Sequence, residues 1–153
     1  LGAFVAAQLP EKTFYFGHGC CPIHAATTGA EIRAAQAAHP AALLLSHADC
    51  PAEVRTMSAC LGRTPGMLAF AEKSGAREFL IATEGGTLYE LRRRCPGKKF
   101  YLTRESFLCR DMKKITPEAP ARVFEGGGPP VAVDAAVALP ARRALMRLLE
   151  LAT

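Results

Sequence analysis

Ala41-Ala42-Leu43-Leu44-Leu45-Ser46-His47-Ala48-Asp49-Cys50-Pro51 is the stretch on which the fold turns. Ala41 to Leu45 is a continuous apolar run, the mark of a strand covered on both faces. Directly after it come an imidazole, a carboxylate and a thiol, and Pro51 then sits where a first helical turn tolerates proline, opening a short helix through Met57. Strand, reactive turn, helix is the repeating unit of a parallel sheet, and in such sheets ligands collect beyond the carboxyl ends of the strands.

Outward from that stretch the same rhythm recurs. Upstream, Leu1 to Leu9 reads as the end of a helix, and Lys12 to Phe16 alternates polar and aromatic residues before Gly17, as a short strand does. Thr27 or Thr28 caps a helix from about Ala30 to Ala38, with Ile32, Ala35 and Ala38 at helical spacing and His39-Pro40 as its stop. Downstream, Thr64-Pro65-Gly66 leads into a helix over Gly66 to Lys73, and Phe79 to Ala82 is another apolar strand. Thr83-Glu84-Gly85-Gly86 is a turn, Thr87 to Arg94 a helix with Leu88 and Leu91 on one face, and Lys99 to Leu102 a further strand. Thr116-Pro117-Glu118 has the form of a helix start, Glu125 to Pro130 is a Gly and Pro-rich loop, and Pro140 to Leu151 is an amphipathic helix expected to turn Leu145, Leu148 and Leu149 inward. The pattern predicts βαβ crossovers and a parallel sheet covered on both sides, with His24, His47, Asp49 and Glu84 along one edge.

Composition sets the outer limits. The 153 residues suit one ordinary domain, and 50% hydrophobic content is enough for a core. No signal peptide is visible, and no apolar run approaches the roughly 20 residues that cross a bilayer. Six cysteines without a secretory context predict a soluble chain in a reducing compartment, the cytoplasm, or a plastid if the source is photosynthetic. Leu1 is not an initiator Met, so the start reads as a cut within a longer chain. The net charge of +5 is concentrated between Arg92 and Lys114, where a solvated surface with a few phosphate-facing cations is a better account than a nucleic-acid site, since no nucleic-acid motif accompanies it.

Three stretches carry chemistry: Gly19-Cys20-Cys21-Pro22-Ile23-His24, Ser46-His47-Ala48-Asp49-Cys50, and Cys109-Arg110-Asp111-Met112-Lys113-Lys114. Thiolates suit zinc and iron-sulfur clusters, and imidazoles and cations suit acidic ligands, so these residues predict a metal site that handles an anion. One version is a non-catalytic structural zinc module on Cys21, His24 and Cys50, with or without Cys109. Cys60 and Cys95 read as small buried hydrophobes, and Glu84 as a helix cap or a site residue.

In order along the chain, Gly19 to His24, His47-Ala48-Asp49-Cys50-Pro51, Gly62-Arg63-Thr64-Pro65-Gly66-Met67, Thr83-Glu84-Gly85-Gly86 and Cys109 to Thr116 together resemble the second half of a bacterial-type quinolinate synthase. Five motifs in order are far more specific than any one of them. The resemblance implies a three-layer α/β/α domain with a short parallel sheet, part of a pseudo-threefold assembly of three such domains. Residues 1–23 would end the second domain, 24–108 form the third, and 109–153 return toward a first domain outside these residues. It also implies a transferase of NAD biosynthesis, condensing iminoaspartate with dihydroxyacetone phosphate to quinolinate on a 4Fe-4S cluster with one open iron.

By the same resemblance Cys21 and Cys109 are cluster ligands, with Cys20 the alternative to Cys21, and the third ligand lies in the absent half, supplied in cis or in trans. His24, His47, Asp49, Arg63 and Thr64 match substrate-binding positions, His47 and Asp49 the catalytic ones. Three departures stand out: Asp49 where the family has glutamate, Arg63 where it has serine, and Arg110-Asp111 where it has Pro-Asn. They leave open a second reading, a diverged or non-catalytic, partner-dependent copy.

Overall fold

A computed structural model describes residues 1–128 and 130–152. The chain forms two compact units, Leu1–Arg110 and Asp111–Thr153.

In the first unit the sheet has four strands, β1 (Leu43–His47), β2 (Cys60–Gly62), β3 (Glu78–Ala82) and β4 (Lys99–Leu102), in the order β2-β1-β3-β4 and all parallel. The helices are α1 (Gly2–Gln8), α2 (Pro22–Ala25), α3 (Gly29–Ala38), α4 (Ala52–Thr56), α5 (Thr64–Lys73) and α6 (Thr87–Arg94). Alternation along β3 shows the layering. Phe79 and Ile81 pack with Met67, Leu68, Ala71 and Leu91 of α5 and α6. Leu80 and Ala82 pack with Ile32 and Val54 of α3 and α4. A strand whose successive side chains are buried against helices on opposite faces defines a three-layer α/β/α sandwich, as its unbroken apolar sequence implies.

Local chemistry explains most element ends. Thr28 rather than Thr27 caps α3, its hydroxyl accepting from the Glu31 N–H while Glu31 accepts the Thr28 N–H in a capping box. Pro96 and Gly97 follow α6 and forbid another turn. The cations of the Arg92–Lys114 run serve the fold: Arg93 and Arg94 bridge to Glu90, Lys99 to Glu78, and Lys98 donates to the carbonyls of Ala71 and Ser74 behind α5.

The structure differs from the sequence pattern in four places. Lys12 to Phe16 is not a strand: among the described residues it has no ladder partner, and Tyr15 is 94% exposed. β1 runs two residues later than its apolar core suggests, because its ladders to β3 and β2 extend through Ser46 and His47. β2 has no apolar run to announce it and exists through its pairing with Leu45, Ser46 and His47. In the second unit, after a short 3-10 helix (Met112–Lys114) and α7 (Glu118–Phe124), the last helix α8 (Ala135–Leu151) starts at an Asp134 cap and contains Pro140. Leu145, Leu148 and Leu149 do not turn inward but are 63%, 62% and 57% exposed. None of the described helices of this unit has a buried residue, since so few turns provide no second layer to pack against.

Candidate functional site

The connections from β1 to β2 and from β2 to β3 leave in opposite directions across the sheet, so the crevice past the carboxyl ends of β1 and β3 is a topological switch point. His47 is the last residue of β1, Asp49 follows in the turn, and Thr83 and Glu84 follow β3. His24 reaches the same place from α2, whose first residue is Pro22 and whose N-cap is Cys21. The register Ser46↔Ala82 sets His47 and Thr83 side by side across the crevice.

There the imidazoles of His24 and His47 stack, with centroids 4.1 Å apart and planes 11° from parallel. Asp49 Oδ2 lies 4.0 Å from His24 Nδ1 and 3.6 Å from His47 Nδ1, and Asp49 Oδ1 is 2.8 Å from the Leu1 amino nitrogen. The Asp49 N–H donates to His47 Nδ1 at 3.2 Å, so His47 carries its neutral proton on Nε2. His24 is only 8% exposed; its Nε2 meets Thr83 Oγ1 at 3.0 Å, and its Nδ1 is buried with no hydrogen-bond partner. Ligand-type atoms of His24, His47 and Asp49 all lie within 4.8 Å of one another.

Burial, with the neighbouring His47 and then Arg104 adding to it against Asp49, pushes the His24 pKa down to about 4. Burial also lowers that of His47, helped by the Arg63 charge and opposed by Asp49. Both rings are therefore neutral at pH 7. Burial works against the Asp49 carboxylate, and the adjacent imidazoles of His47 and His24 favour its charged form.

Two residues that the sequence did not mark as part of the site organise it. Thr83, 2% exposed, orients His24. Arg104, seen in the sequence only as one cation of a basic run, donates to the carbonyls of Ile23 at 2.7 Å and Ala26 at 3.1 Å, with its guanidinium 4.5 Å from the Phe107 ring centre. It thereby pins the turn bearing His24 to the segment leaving β4. Glu84 ties two backbone segments together: Oε2 accepts the Gly86 N–H at 2.7 Å ahead of α6, and Oε1 lies 3.5 Å from the Cys109 backbone N, while α6 itself has no side-chain cap.

Cys21 and Cys109 are free and half-buried. Cys21 is the N-cap residue of the helix whose His24 meets Thr83, and the Cys109 backbone N–H meets the adjacent Glu84, so both sulfur-bearing segments are tied to the turn after β3. Soft, free, partly accessible thiols suit an iron-sulfur cluster as part of its ligand set. Cys50 does not. Its Sγ donates toward the Ala82 carbonyl at 3.6 Å, it is 1% exposed, and burial pushes its thiol up to about 11, so the zinc module loses that ligand to the core. Cys95 lies in the core and Cys60 packs against it, as small hydrophobes do. Arg63 is the exposed N-cap of α5, and Thr64 is its half-buried first residue.

Fold and site together define an α/β protein that gathers two neutral imidazoles and one carboxylate at the switch point of a parallel sheet. Residues 1–150 match the family described as Quinolinate synthetase A protein, NadA. A quinolinate synthase of Caldicellulosiruptor saccharolyticus is 38% identical over 151 residues, covering 99% of this chain and 50% of that protein. That of Clostridioides difficile is 38% identical over 118 residues (77% and 39%), and that of Geobacter sp. strain M21 is 32% identical over 151 (99% and 49%). The chain belongs to the quinolinate synthase A family, and it spans about half the length of the curated relatives it matches. Among the described residues no helix is long and apolar enough to cross a membrane.

Proposed function

We propose that this chain provides the substrate imidazoles and two cluster thiolates of a quinolinate synthase, working with a complementary half that supplies the remaining contacts. The observation that carries the reading is the convergence of His24, His47 and Asp49 at the switch point of a chain in this family. The reaction is the condensation of iminoaspartate with dihydroxyacetone phosphate, with dehydration and ring closure to quinolinate for NAD biosynthesis. In the division of labour we assign, residues 1–23 close a preceding domain, 24–108 hold the site, and 109–153 begin with a cluster ligand and lead toward the complementary half.

Cys21 and Cys109, with a third thiolate from outside these residues, would hold a 4Fe-4S cluster, which when bound would supply a Lewis-acidic iron able to ease loss of water from a carboxylate or hydroxyl compound. The remaining steps belong to the chain's own side chains. His47, with its proton on Nε2, donates to a substrate oxygen, while His24, whose Nε2 is paired with the Thr83 hydroxyl, presents Nδ1 as an acceptor in the tautomer that carries its proton on Nε2. Neighbouring rings of opposite polarity suit a proton transfer in which one oxygen gains a proton as another loses one. Asp49, ionised beside them, acts as the base for the iminoaspartate-derived carbon acid. Arg63 and Thr64 at the start of α5 hold the phosphate, by charge and by a hydroxyl among unpaired backbone N–H groups.

The test is anaerobic reconstitution of the chain with the complementary half of a relative, followed by assay of quinolinate. Activity is expected, with His47→Ala lowering kcat by about a hundredfold or more. Thr64→Ala is expected to raise the KM for dihydroxyacetone phosphate with a smaller effect on kcat. Restored activity indifferent to both His24→Ala and His47→Ala would refute the assignment.

A further inference from the structure

Cys109 lies in a stretch with no helix or strand of its own: β4 ends at Leu102, and the next helical turn begins at Met112. Its thiol is therefore held in place by side-chain and backbone contacts, and the contact at Cys109 itself comes from Glu84. We infer that Glu84 is a positioning residue for Cys109, its carboxylate fixing that segment to the same turn from which Thr83 meets His24. The inference deepens the function proposed above and rests on the reading of Cys109 as a cluster ligand.

Geometry carries the inference. Glu84 is only 8% exposed, and burying its carboxyl group is costly unless N–H donors meet it. Two do: Gly86 N lies 2.7 Å from Oε2, and Cys109 N lies 3.5 Å from Oε1. A side chain that only closed its own turn would end at Gly86, whereas this one continues to a residue 25 positions further along the chain. The backbone beside it reinforces the grip. The Gly85 N–H donates to the Phe107 carbonyl at 2.7 Å, and a Cβ on Gly85 would stand 3.2 Å from that oxygen, so glycine permits the approach.

A second observation is what shares the mount. Thr83, the residue before Glu84, meets His24 Nε2 at 3.0 Å. Phe107, 1% exposed, carries on its ring the Arg104 guanidinium that holds the carbonyls of Ile23 and Ala26 on either side of His24. One turn thus sets an imidazole through Thr83 and a thiol through Glu84 and Gly85. Because a misplacement of about 1 Å can cost a hundredfold in rate, a common mount for the two groups is a device that serves chemistry as well as folding. Glutamine distinguishes positioning from turn closure. It has the length of glutamate but one carbonyl oxygen and an NH2 group, so it accepts one of the two N–H groups and opposes the other. The shorter bond, to Gly86, is the one it keeps, which leaves the Cys109 N–H facing a donor.

The experiment is residue-resolved amide exchange and thiol alkylation of the chain in reducing, metal-free buffer. In the unaltered chain the Cys109 amide should be protected at least about fivefold relative to that of exposed Arg110, the ratio that a hydrogen bond of about 1 kcal/mol gives. Glu84→Gln should remove that protection, leave Gly86 within about twofold of its former rate, and quicken alkylation of Cys109 measured against Cys21 in the same molecule. A Cys109 amide as unprotected as that of Arg110 in the unaltered chain would overturn the assignment, and this result does not depend on the variant's folding. Glu84→Gln with both amides protected as before would overturn it too, making Glu84 a turn residue only. Ligation reports separately. In the chain reconstituted with its complementary half, the electron paramagnetic resonance spectrum of the reduced cluster should change in both Cys109→Ser and Glu84→Gln. A spectrum unchanged in Cys109→Ser would remove Cys109 from the ligand set, and one unchanged in Glu84→Gln alone would refute the positioning role while leaving the ligand reading standing.

Discussion

His24 makes the folded state sensitive to acid. Its pKa falls from 6.5 to about 4 on folding, chiefly through burial, so between those values the unfolded chain binds the extra proton and the folded chain does not. The stability held above pH 6.5 is therefore lost as pH falls toward 4, by about 1–2 kcal/mol after a discount for solvent screening. Urea midpoints of the chelator-treated chain across that range should fall with pH, and His24→Asn should flatten the slope. Thiol chemistry separates the cysteines in the same way. Cys20 is exposed, whereas Cys50 is buried and protonated with its pKa near 11, so alkylation at pH 8 followed by peptide mass analysis should label Cys20 fully before Cys50 reacts.

Among the elements, α3 and the α2 turn rest on small polar devices. Thr28→Ala removes the hydroxyl half of the capping box and should cost about 1 kcal/mol, read as a lower urea midpoint with an unchanged m-value. Arg104 holds the carbonyls of Ile23 and Ala26 with two nitrogens of one fork, a geometry that lysine does not reproduce. Arg104→Lys and Arg104→Ala should both speed amide exchange of residues 21–27, the alanine variant also losing about 2 kcal/mol. These devices differ in legibility. Thr28 and Glu31 are three residues apart and visible as a cap, but Arg104 bonds to a turn 78 and 81 residues earlier, which no local pattern reports.

Across the whole molecule, stability is concentrated in the first unit. Phe79 is fully buried and stacks on Phe100 at 5.4 Å between centroids, so Phe79→Ala should lower stability by about 3–5 kcal/mol. Leu148→Glu, on an exposed face of α8, should leave the unfolding of the first unit within about 0.5 kcal/mol of the original. A calorimetric scan of both variants distinguishes the two, and a large shift for Leu148→Glu would place that face in the stable core after all.

The sequence by itself determined the α/β class, the strands at residues 79–82 and 99–102, helix α6 to the residue, and the gathering of His47, Asp49 and Glu84 past strand ends. These are properties of local periodicity and punctuation, which act over a few residues. Tertiary structure alone decided the rest. It denied a strand to residues 12–16 for want of a partner, made one of Cys60–Gly62 through pairing, and exposed the leucines of α8. It also stacked His24 on His47, because a ring from α2 meets a ring from β1 only once the sheet's reversal at the switch point has opened a crevice between β1 and β3. Strand pairing and burial are contacts between distant residues, and their energy exists only when the chain has closed on itself.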